Sequence, residues 1–325
     1  MRALVKIRIA RSAEEIDSFR PLWERLEKSN SCTLFQSFAW NRLVASRFPA
    51  REDPYVVCAE SDSGAAIIPA AIADYGLTLL GEALFDYRDV LHAGDPEVLR
   101  RAWQELARLH LPLFFTALRS ETRRSAWDDL RPQPFVNAPC VLLSDVGNAE
   151  QFAANHNRLG RCHRRLERQG VHFSCQNAPS SESLRHVYQL KADQLPGSLF
   201  RDPARLSFIT AAANLDPASC DLYTLRRDDS LVAALVTFRD GQTRRFYTIY
   251  YDRHWAQFSP GVVLLFEATR QSLAEDLDCD YMTGEQPHKA RLATSTVPLF
   301  RVEATCESLA MFSGVEEQPV PELAA

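Results

Sequence analysis

FSPGVVLLFEATRQSLAEDLDCDYMTGEQPHKAR, residues Phe258–Arg291, combines three features. Ser259-Pro260-Gly261 opens a helix with an apolar stripe, the extended run CDYMT follows, and the polar segment GEQPHKAR ends the stretch. The first amide groups of a helix have no intrahelical partner and carry partial positive charge, so they attract anions. The stretch therefore predicts a helix and a following strand, with a candidate anion site where the helix begins.

The same order of elements occurs twice in the chain. CDLYTLRR, LVAALVTFRD and RRFYTIYYD predict three antiparallel strands before the helix described above, and turns separate them. In the first half, PYVVCAES, AAIIPAAIAD and YGLTLLG predict three extended strands before the helix DPEVLRRAWQELARLH and the strand LPLFFTAL. This repetition predicts a tandem duplication of a mixed α/β unit. We expect two units, residues 1–140 and 141–325, each a mixed, mostly antiparallel sheet flanked by helices.

The two matched helix starts differ in charge. The first copy carries Asp95 and Glu97, whose carboxylates would satisfy the amides and repel a phosphate. The second copy has no acidic residue, and Gly261 would allow a ligand to approach the backbone closely. Electrostatics therefore favours the second copy, in residues 141–325, as the anion site, and the first copy, in residues 1–140, as its structural twin. The alternative is that Ser259 and Pro260 only form a cap.

Composition and motifs exclude several classes. The chain has 325 residues, 46% of them hydrophobic. Its net charge of -5 argues against a protein whose main role is to bind nucleic acid through a basic surface. No apolar run reaches the roughly 18 residues of a membrane helix, and the N-terminal stretch does not resemble a signal peptide. The eight cysteines are scattered without a CxxC pair, so we expect a cytoplasmic protein with no metal site. GxSxG, GxxxxGK and HExxH motifs are absent from the sequence.

Six segments carry a family resemblance across roughly residues 5–312: TLFQSFAW, FDYRDVL, RRLERQG, LVAALVTF, YYDRHWAQFSPGVVLLFEA and GEQPHKAR. Together they resemble the BioF2-like or CelD-like bacterial acetyltransferases, a FemAB-related, tandem branch of the GNAT superfamily. The resemblance implies that acyl-CoA lies in a split between two central strands, with its pyrophosphate at the following helix start. Carried over to this chain, it implies a donor site formed by Tyr250, Tyr251, Ser259, Gly261, Val262 and Val263.

The polar segment supplies candidate catalytic residues. Acyl transfer to an amine requires a neutral amine, so a base assists it, and donors must stabilise the developing oxyanion. Glu285 is a candidate base, and His288, where this group often has Tyr, is a candidate base or proton shuttle. Lys289 is a candidate substrate-binding cation, and Tyr281 a candidate hydrogen-bond donor to the leaving thiolate. A solvated turn is the alternative interpretation.

Two further stretches are candidate binding regions. In FDYRDVL, Tyr87 and Asp89 lie on one face of an extended segment and are candidate acceptor contacts, although packing would explain them equally well. The helix NRLGRCHRRLERQG carries five arginines, which predict either an anion-binding surface or a solvated helix.

The sequence thus predicts an acyl-CoA-dependent acyltransferase. We expect an N-acetyltransferase that acts by direct transfer on a small amine or amino-sugar acceptor. We expect a monomer without membrane insertion, since tandem units can mimic a GNAT dimer. FemAB relatives take an activated amino acid from tRNA, so an aminoacyl-tRNA-dependent transferase is the second hypothesis. A non-catalytic GNAT-fold binding module is the third.

Overall fold

The computed structural model describes residues 4–48, 52–119, 130–194, 199–284 and 286–313. The chain divides into two compact units, one formed by Met1–Phe135 with Pro298–Ala325 and the other by Val136–Val297. This division differs from the expected units 1–140 and 141–325 mainly in the C-terminal segment Pro298–Ala325, which belongs to the first unit. Leu299–Ala304 pair with a strand of the first unit, and Val302 and Leu309 lie in its core. These buried contacts explain why the segment returns to the first unit.

Thirteen strands lie in the described ranges. They are β1 Lys6–Ala10, β2 Asp53–Ser61, β3 Gly64–Ala73, β4 Gly76–Leu79, β5 Leu91–Gly94, β6 Leu113–Arg119, β7 Gln133–Val141, β8 Val171–Asn177, β9 Cys220–Arg227, β10 Ser230–Asp240, β11 Thr243–Tyr251, β12 Asp278–Asp280 and β13 Ser295–Ala304.

The helices of the same ranges are α1 Ala13–Ile16, α2 Arg20–Ser29, α3 Phe38–Arg47, α4 Pro96–Ala107, α5 Leu143–Val146, α6 Ala149–Asn155, α7 Asn157–Glu167, α8 Ser181–Gln194, α9 Pro203–Ala213, α10 Pro260–Ala274, α11 Pro287–Leu292 and α12 Cys306–Ser313. A 3-10 turn, Arg253–Phe258, connects β11 to α10.

The first unit is a mixed sheet with the order β1-β2-β3-β4-β6-β13. The strands β1 to β4 form an antiparallel meander, and β5 also pairs with β3. After α4 the chain returns as β6, which runs parallel to β4. The buried face of α4, with Leu99, Trp103 and Leu106, packs into the core of this unit because its apolar residues follow the helical period.

The second unit repeats this plan with the order β8-β9-β10-β11-β12-β7. Strands β8 to β11 are antiparallel, α10 follows, and β12 then runs parallel to β11. Helix α10 is buried on most of its surface, and Val263, Leu264 and Phe266 lie in the core. The meander, helix and parallel strand therefore occur in both units, which confirms the predicted α/β fold with two GNAT-like sheets.

Strand β12 is shorter than its sequence predicts. The extended run CDYMT covers residues 279–283, but the strand ends at Asp280. Met282 adopts a left-handed conformation with φ of 62°, which an extended strand cannot contain. The N–H of Tyr281 donates to the carbonyl of Pro139 at 3.0 Å, so the chain stays bonded to β7 here, whereas its last pair with β11 is Asp280 with Arg245.

Candidate functional site

The start of α10 lacks a side-chain cap. Ser259 occupies the N-cap position in a left-handed conformation with φ of 52°, and its side chain makes no capping hydrogen bond. Its carbonyl accepts from the N–H groups of Val262 at 3.0 Å and Val263 at 3.1 Å. Pro260 has no N–H, so Gly261 is the residue of this turn whose amide is best placed to donate to a ligand. In this turn, the candidate anion site therefore consists of the Gly261 amide and the positive end of the helix dipole.

Gly261 is buried and packs closely against β11. A Cβ atom at this position would lie 3.2 Å from Cδ1 of Tyr251 and 3.6 Å from Cδ1 of Ile249. Both side chains belong to β11, so the missing side chain allows the helix start to pack against the strand. The prediction that the glycine also allows a ligand to approach the backbone closely stays a prediction.

A pocket of about 370 Å³ lies at the exposed side of this helix start. Ser259 and Val262 form one wall, and His288 of α11 lies on another. Arg158 of α7 and Arg291 of α11 are the charged groups among the described residues that line it. No carboxylate belongs to the described part of this lining, which combines two guanidinium groups with the positive end of a helix dipole. This chemistry suits an anion such as a phosphate.

The corresponding start of α4 has the opposite character. The Asp95 carboxylate accepts a hydrogen bond from the N–H of Glu97 at 2.9 Å, which caps the helix internally. The Glu97 carboxylate in turn pairs with Arg100 at 2.6 Å and Arg101 at 3.1 Å. The first copy thus satisfies its helix start with its own side chains, as the sequence predicts.

Two candidate residues of the polar segment lie near the pocket. His288 is half-buried, and burial together with the charges of Lys289 and Arg291 lowers the pKa of its imidazole. A neutral imidazole can accept a proton at neutral pH. The ammonium of Lys289 donates to the carbonyl of Thr283 at 2.8 Å, which ties α11 to the end of β12. Glu285 lies outside the described residues, so its predicted role as a base stays a prediction.

Tyr281 lies in the core rather than in a cleft. It is fully buried, its hydroxyl shares a 2.8 Å hydrogen bond with Thr269 of α10, and its ring packs edge-on against Phe246. Burial raises the pKa of this phenol well above its usual value. Its geometry is that of a packing residue, so the contact with a leaving thiolate that the sequence suggested has no support here.

The remaining predicted residues divide by exposure. Tyr251 is 42% exposed beside the helix start, whereas Tyr250 and Val263 are buried. In the first unit, Tyr87 and Asp89 are also buried. The Asp89 carboxylate accepts from the N–H of Val90, and the Tyr87 carbonyl accepts from a Gln36 amide. Packing, the alternative interpretation for Tyr87 and Asp89, is what this geometry favours.

Strand β11 has an open edge near the helix start. A β-bulge between Val236 and Thr237 shifts its register against β10, and the N–H of Asp252 then bonds to β10. Backbone groups alternate in direction along a strand, so those of Ile249 and Tyr251 point away from β10. Strand β12 pairs only with Thr243–Arg245 and does not extend this far. The two central strands therefore separate, and a split opens where the family resemblance implies one.

Two side chains of α8 contact this open edge. The ammonium of Lys191 donates to the carbonyl of Ile249 at 2.6 Å, and the amide of Gln194 donates to the carbonyl of Tyr251. Neither was a candidate in the sequence analysis. One signal was available, because only four of the 37 basic residues are lysines, and two of those, Lys191 and Lys289, flank this region.

A buried ion pair links the basic helix α7 to α10. His163 Nδ1 lies 2.6 Å from Oε1 of Glu267, and Arg270 donates to the same carboxylate at 3.0 Å. The carboxylate raises the pKa of His163, and the histidine and arginine outweigh burial to lower the pKa of Glu267. The pair fixes the helix that carries Arg158 into the pocket.

The basic helix contributes unequally to the site. Arg158 lines the pocket, and the guanidinium of Arg165 lies over the ring of Phe258, just before the helix start. Arg161 is exposed and does not belong to the pocket lining.

Within the described ranges, no group of three or more His, Cys, Asp or Glu residues could hold a metal ion. In the same ranges, no helix is long and apolar enough to cross a membrane.

One family model matches the part of the chain that contains this site. Residues 153–290 match the family model of the acetyltransferase (GNAT) domain. This range contains α7, the open edge of β11, α10 and most of the polar segment. A search of curated proteins finds no significant match.

Several solved structures share the fold over most of their length. L-PGS from Bacillus licheniformis has 12% identity and a TM-score of 0.55, and the match covers 91% of this chain and 97% of that one. FemX has 8% identity and a TM-score of 0.54, with 94% and 99% covered. A tandem GNAT protein from the clavulanic acid biosynthesis pathway has 11% identity and a TM-score of 0.51, with 92% and 98% covered. Residues 153–290 thus match an acetyltransferase (GNAT) domain, and the chain shares its fold with a tandem GNAT protein and with FemX.

Proposed function

We propose that this protein transfers an acyl group, in the simplest case acetyl, from acyl-CoA to an amine. The observation that carries the proposal is the pocket at the start of α10, which has two arginines and no carboxylate in its described lining. A pyrophosphate would bind there, and the acyl end would extend along the open edge of β11. The internally capped start of α4 supports the assignment of the donor to the second unit.

The residues near the pocket suit direct transfer. The acceptor nitrogen attacks the thioester carbonyl, the C–N bond forms, and the C–S bond breaks as the thiolate leaves. The proton lost by the amine goes to a base, for which neutral His288 is the described candidate. The thiolate takes up a proton from solvent. Glu285 stays a second candidate for the base.

The acceptor is proposed to be a small amine or an amino sugar, as the family resemblance implies. One chain contains both units, so the proposal includes a monomeric enzyme. An acyl-CoA donor implies a reaction in the cytoplasm. None of these details requires a metal ion, since acyl transfer can proceed through a base and hydrogen-bond donors.

A second candidate function is transfer from aminoacyl-tRNA. The observation that favours it is the engagement of the Ile249 and Tyr251 carbonyls by Lys191 and Gln194. A pantetheine arm that pairs with β11 needs acceptors for its amide N–H groups, and these two carbonyls are already bonded. The fold shared with FemX and L-PGS is compatible with this alternative.

A transfer assay distinguishes these functions. The protein is incubated with acetyl-CoA and a panel of primary amines and amino sugars, and free thiol and acetylated product are both measured. We expect amine-dependent thiol release with stoichiometric product for at least one acceptor class. Binding of tRNA acceptor-stem analogues without any binding of CoA would instead favour the second function.

A further inference from the structure

Lys191 occupies an unusual position in the second unit. It lies near the C-terminal end of α8, is half-buried, and its ammonium contacts the ring of Phe200 at 4.4 Å as well as the Ile249 carbonyl. The charged groups that act on it are Arg205 of α9 and Lys289 of α11, and both are cationic. Burial of an ammonium among like charges is unfavourable unless an anion or a strong dipole compensates.

The hydrogen bond to the Ile249 carbonyl does not by itself require a positively charged side chain at residue 191. One residue pair further along β11, the neutral amide of Gln194 bonds to the Tyr251 carbonyl in the same manner. A glutamine at residue 191 could therefore serve the Ile249 carbonyl without the cost of a buried ammonium. The Phe200 ring and the Ile249 carbonyl stabilise the Lys191 ammonium in part, and binding of a ligand oxygen is a further purpose that its charge can serve.

The backbone of Ile249 suggests that purpose. In an extended strand, the N–H and C=O groups of one residue point to the same edge. The N–H of Ile249 therefore points into the same split as its carbonyl, on which Lys191 is held. An ammonium has three hydrogens, and the carbonyl uses one. A ligand oxygen that accepts from the Ile249 N–H would lie within reach of the ammonium.

The geometry points to Lys191 as a donor-site residue whose ammonium, with the N–H of Ile249, binds the reactive carbonyl oxygen of the acyl donor. This inference rests on the proposed function, because it needs a thioester in the split of β11 and β12. The ammonium polarises that carbonyl and stabilises the negative charge that its oxygen gains when the amine attacks. The Ile249 carbonyl keeps the flexible lysine side chain in place before the donor arrives.

Carbon NMR of bound acetyl-CoA tests the role directly. The wild-type protein, Lys191→Met and Lys191→Gln are each saturated with acetyl-CoA labelled with ¹³C at the acetyl carbonyl. Polarisation moves the carbonyl resonance downfield, and we expect this shift in the wild type and its loss in both variants. Lys28→Met, which removes an exposed lysine of α2, is the control and should keep the wild-type shift.

The pH dependence gives a second readout. Burial and the nearby cations lower the pKa of Lys191 to about 8, so the ammonium is lost as the pH rises through that value. The downfield shift should fall over the same range in the wild type and in Lys28→Met. In Lys191→Gln, the resonance should be independent of pH there.

The possible outcomes separate this inference from the proposed function. If acetyl-CoA binds and its carbonyl resonance is the same in the wild type and in Lys191→Gln, the role of Lys191 is wrong and the proposed function stands. If the wild type does not bind acetyl-CoA, the proposed function fails and the role of Lys191 fails with it. Lys191→Gln retains a side-chain N–H donor for the Ile249 carbonyl without the charge, so it decides the matter even if Lys191→Met does not fold.

Discussion

The replacement of Val262 by Glu places a carboxylate in the pocket at the start of α10. Val262 is half-buried and lines the pocket, so a longer polar side chain there can extend towards the bound anion. Val262→Gln has nearly the same size and shape without the charge, and it is the matched control. We expect Val262→Glu to weaken CoA binding strongly and Val262→Gln to weaken it little.

The expected magnitude follows from Coulomb's law. Two like charges about 5 Å apart repel by about 3 kcal/mol at an effective dielectric constant near 20. That energy corresponds to a roughly 200-fold weaker dissociation constant. CoA at about a hundredfold excess over its dissociation constant stabilises the wild type by about 2.7 kcal/mol. At the same concentration, the stabilisation of Val262→Glu should fall to about 0.2 kcal/mol.

Thermal unfolding with and without CoA measures this difference. The wild type and Val262→Gln should both show a clear rise in melting temperature on addition of CoA, and Val262→Glu should show almost none. The effect should shrink at high salt, because the pocket is open to solvent and salt screens the repulsion. An equal rise for Val262→Glu and Val262→Gln at low salt would refute the placement of a phosphate at this helix start.

Three further predictions concern charge and stability. Burial raises the pKa of the Glu52 carboxyl to about 7, so its ionisation costs folding stability as the pH rises from about 4.5 to 7. In denaturant unfolding, Glu52→Gln should be up to about 3 kcal/mol more stable than the wild type at pH 8 and similar to it at pH 4. A difference between the two proteins that does not change with pH would contradict this prediction. The raised pKa of His163 contributes stability below about pH 6.5 that is lost as the pH rises through the folded pKa, and the lowered pKa of Glu267 contributes stability above about pH 4.5 that is lost on acidification. Glu267→Gln should therefore destabilise the protein most, by about 3 kcal/mol, near pH 5–6, where both partners are charged. A larger loss of stability at pH 9 would be evidence against the ion pair. Arg158→Ala should weaken CoA binding more at low than at high salt, whereas Arg161→Ala on the exposed face should change it little, and calorimetric titration at two ionic strengths compares them.

The sequence predicts the repeated architecture because its signals are local. Three alternating runs, a helix that begins at Pro and a following extended run occur in both halves, and each pattern depends on neighbouring residues. The contrast between the Asp95 cap and the uncapped Ser259 start is also readable from sequence, since capping involves residues one turn apart.

The details of the site depend on distant contacts that no local pattern contains. Lys191 bonds to a carbonyl 58 positions away, and the pair of His163 with Glu267 spans 104 positions. Alternation shows that the Tyr281 side chain faces one side of the extended run, but not that the protein core lies on that side. The early end of β12 depends on the left-handed Met282, a residue type without preference for that conformation.

Hydrogen exchange with and without CoA tests the central claim most directly. The claim is that an acyl-CoA binds in the second unit, with its pyrophosphate at the start of α10. Exchange at backbone amides reports local protection by a ligand. We predict that CoA slows exchange at residues 258–264 and at 155–162, which form the pocket, and leaves the capped start of α4 at residues 94–99 unchanged. Binding of CoA without protection at 258–264, or protection at 94–99 instead, would contradict the account.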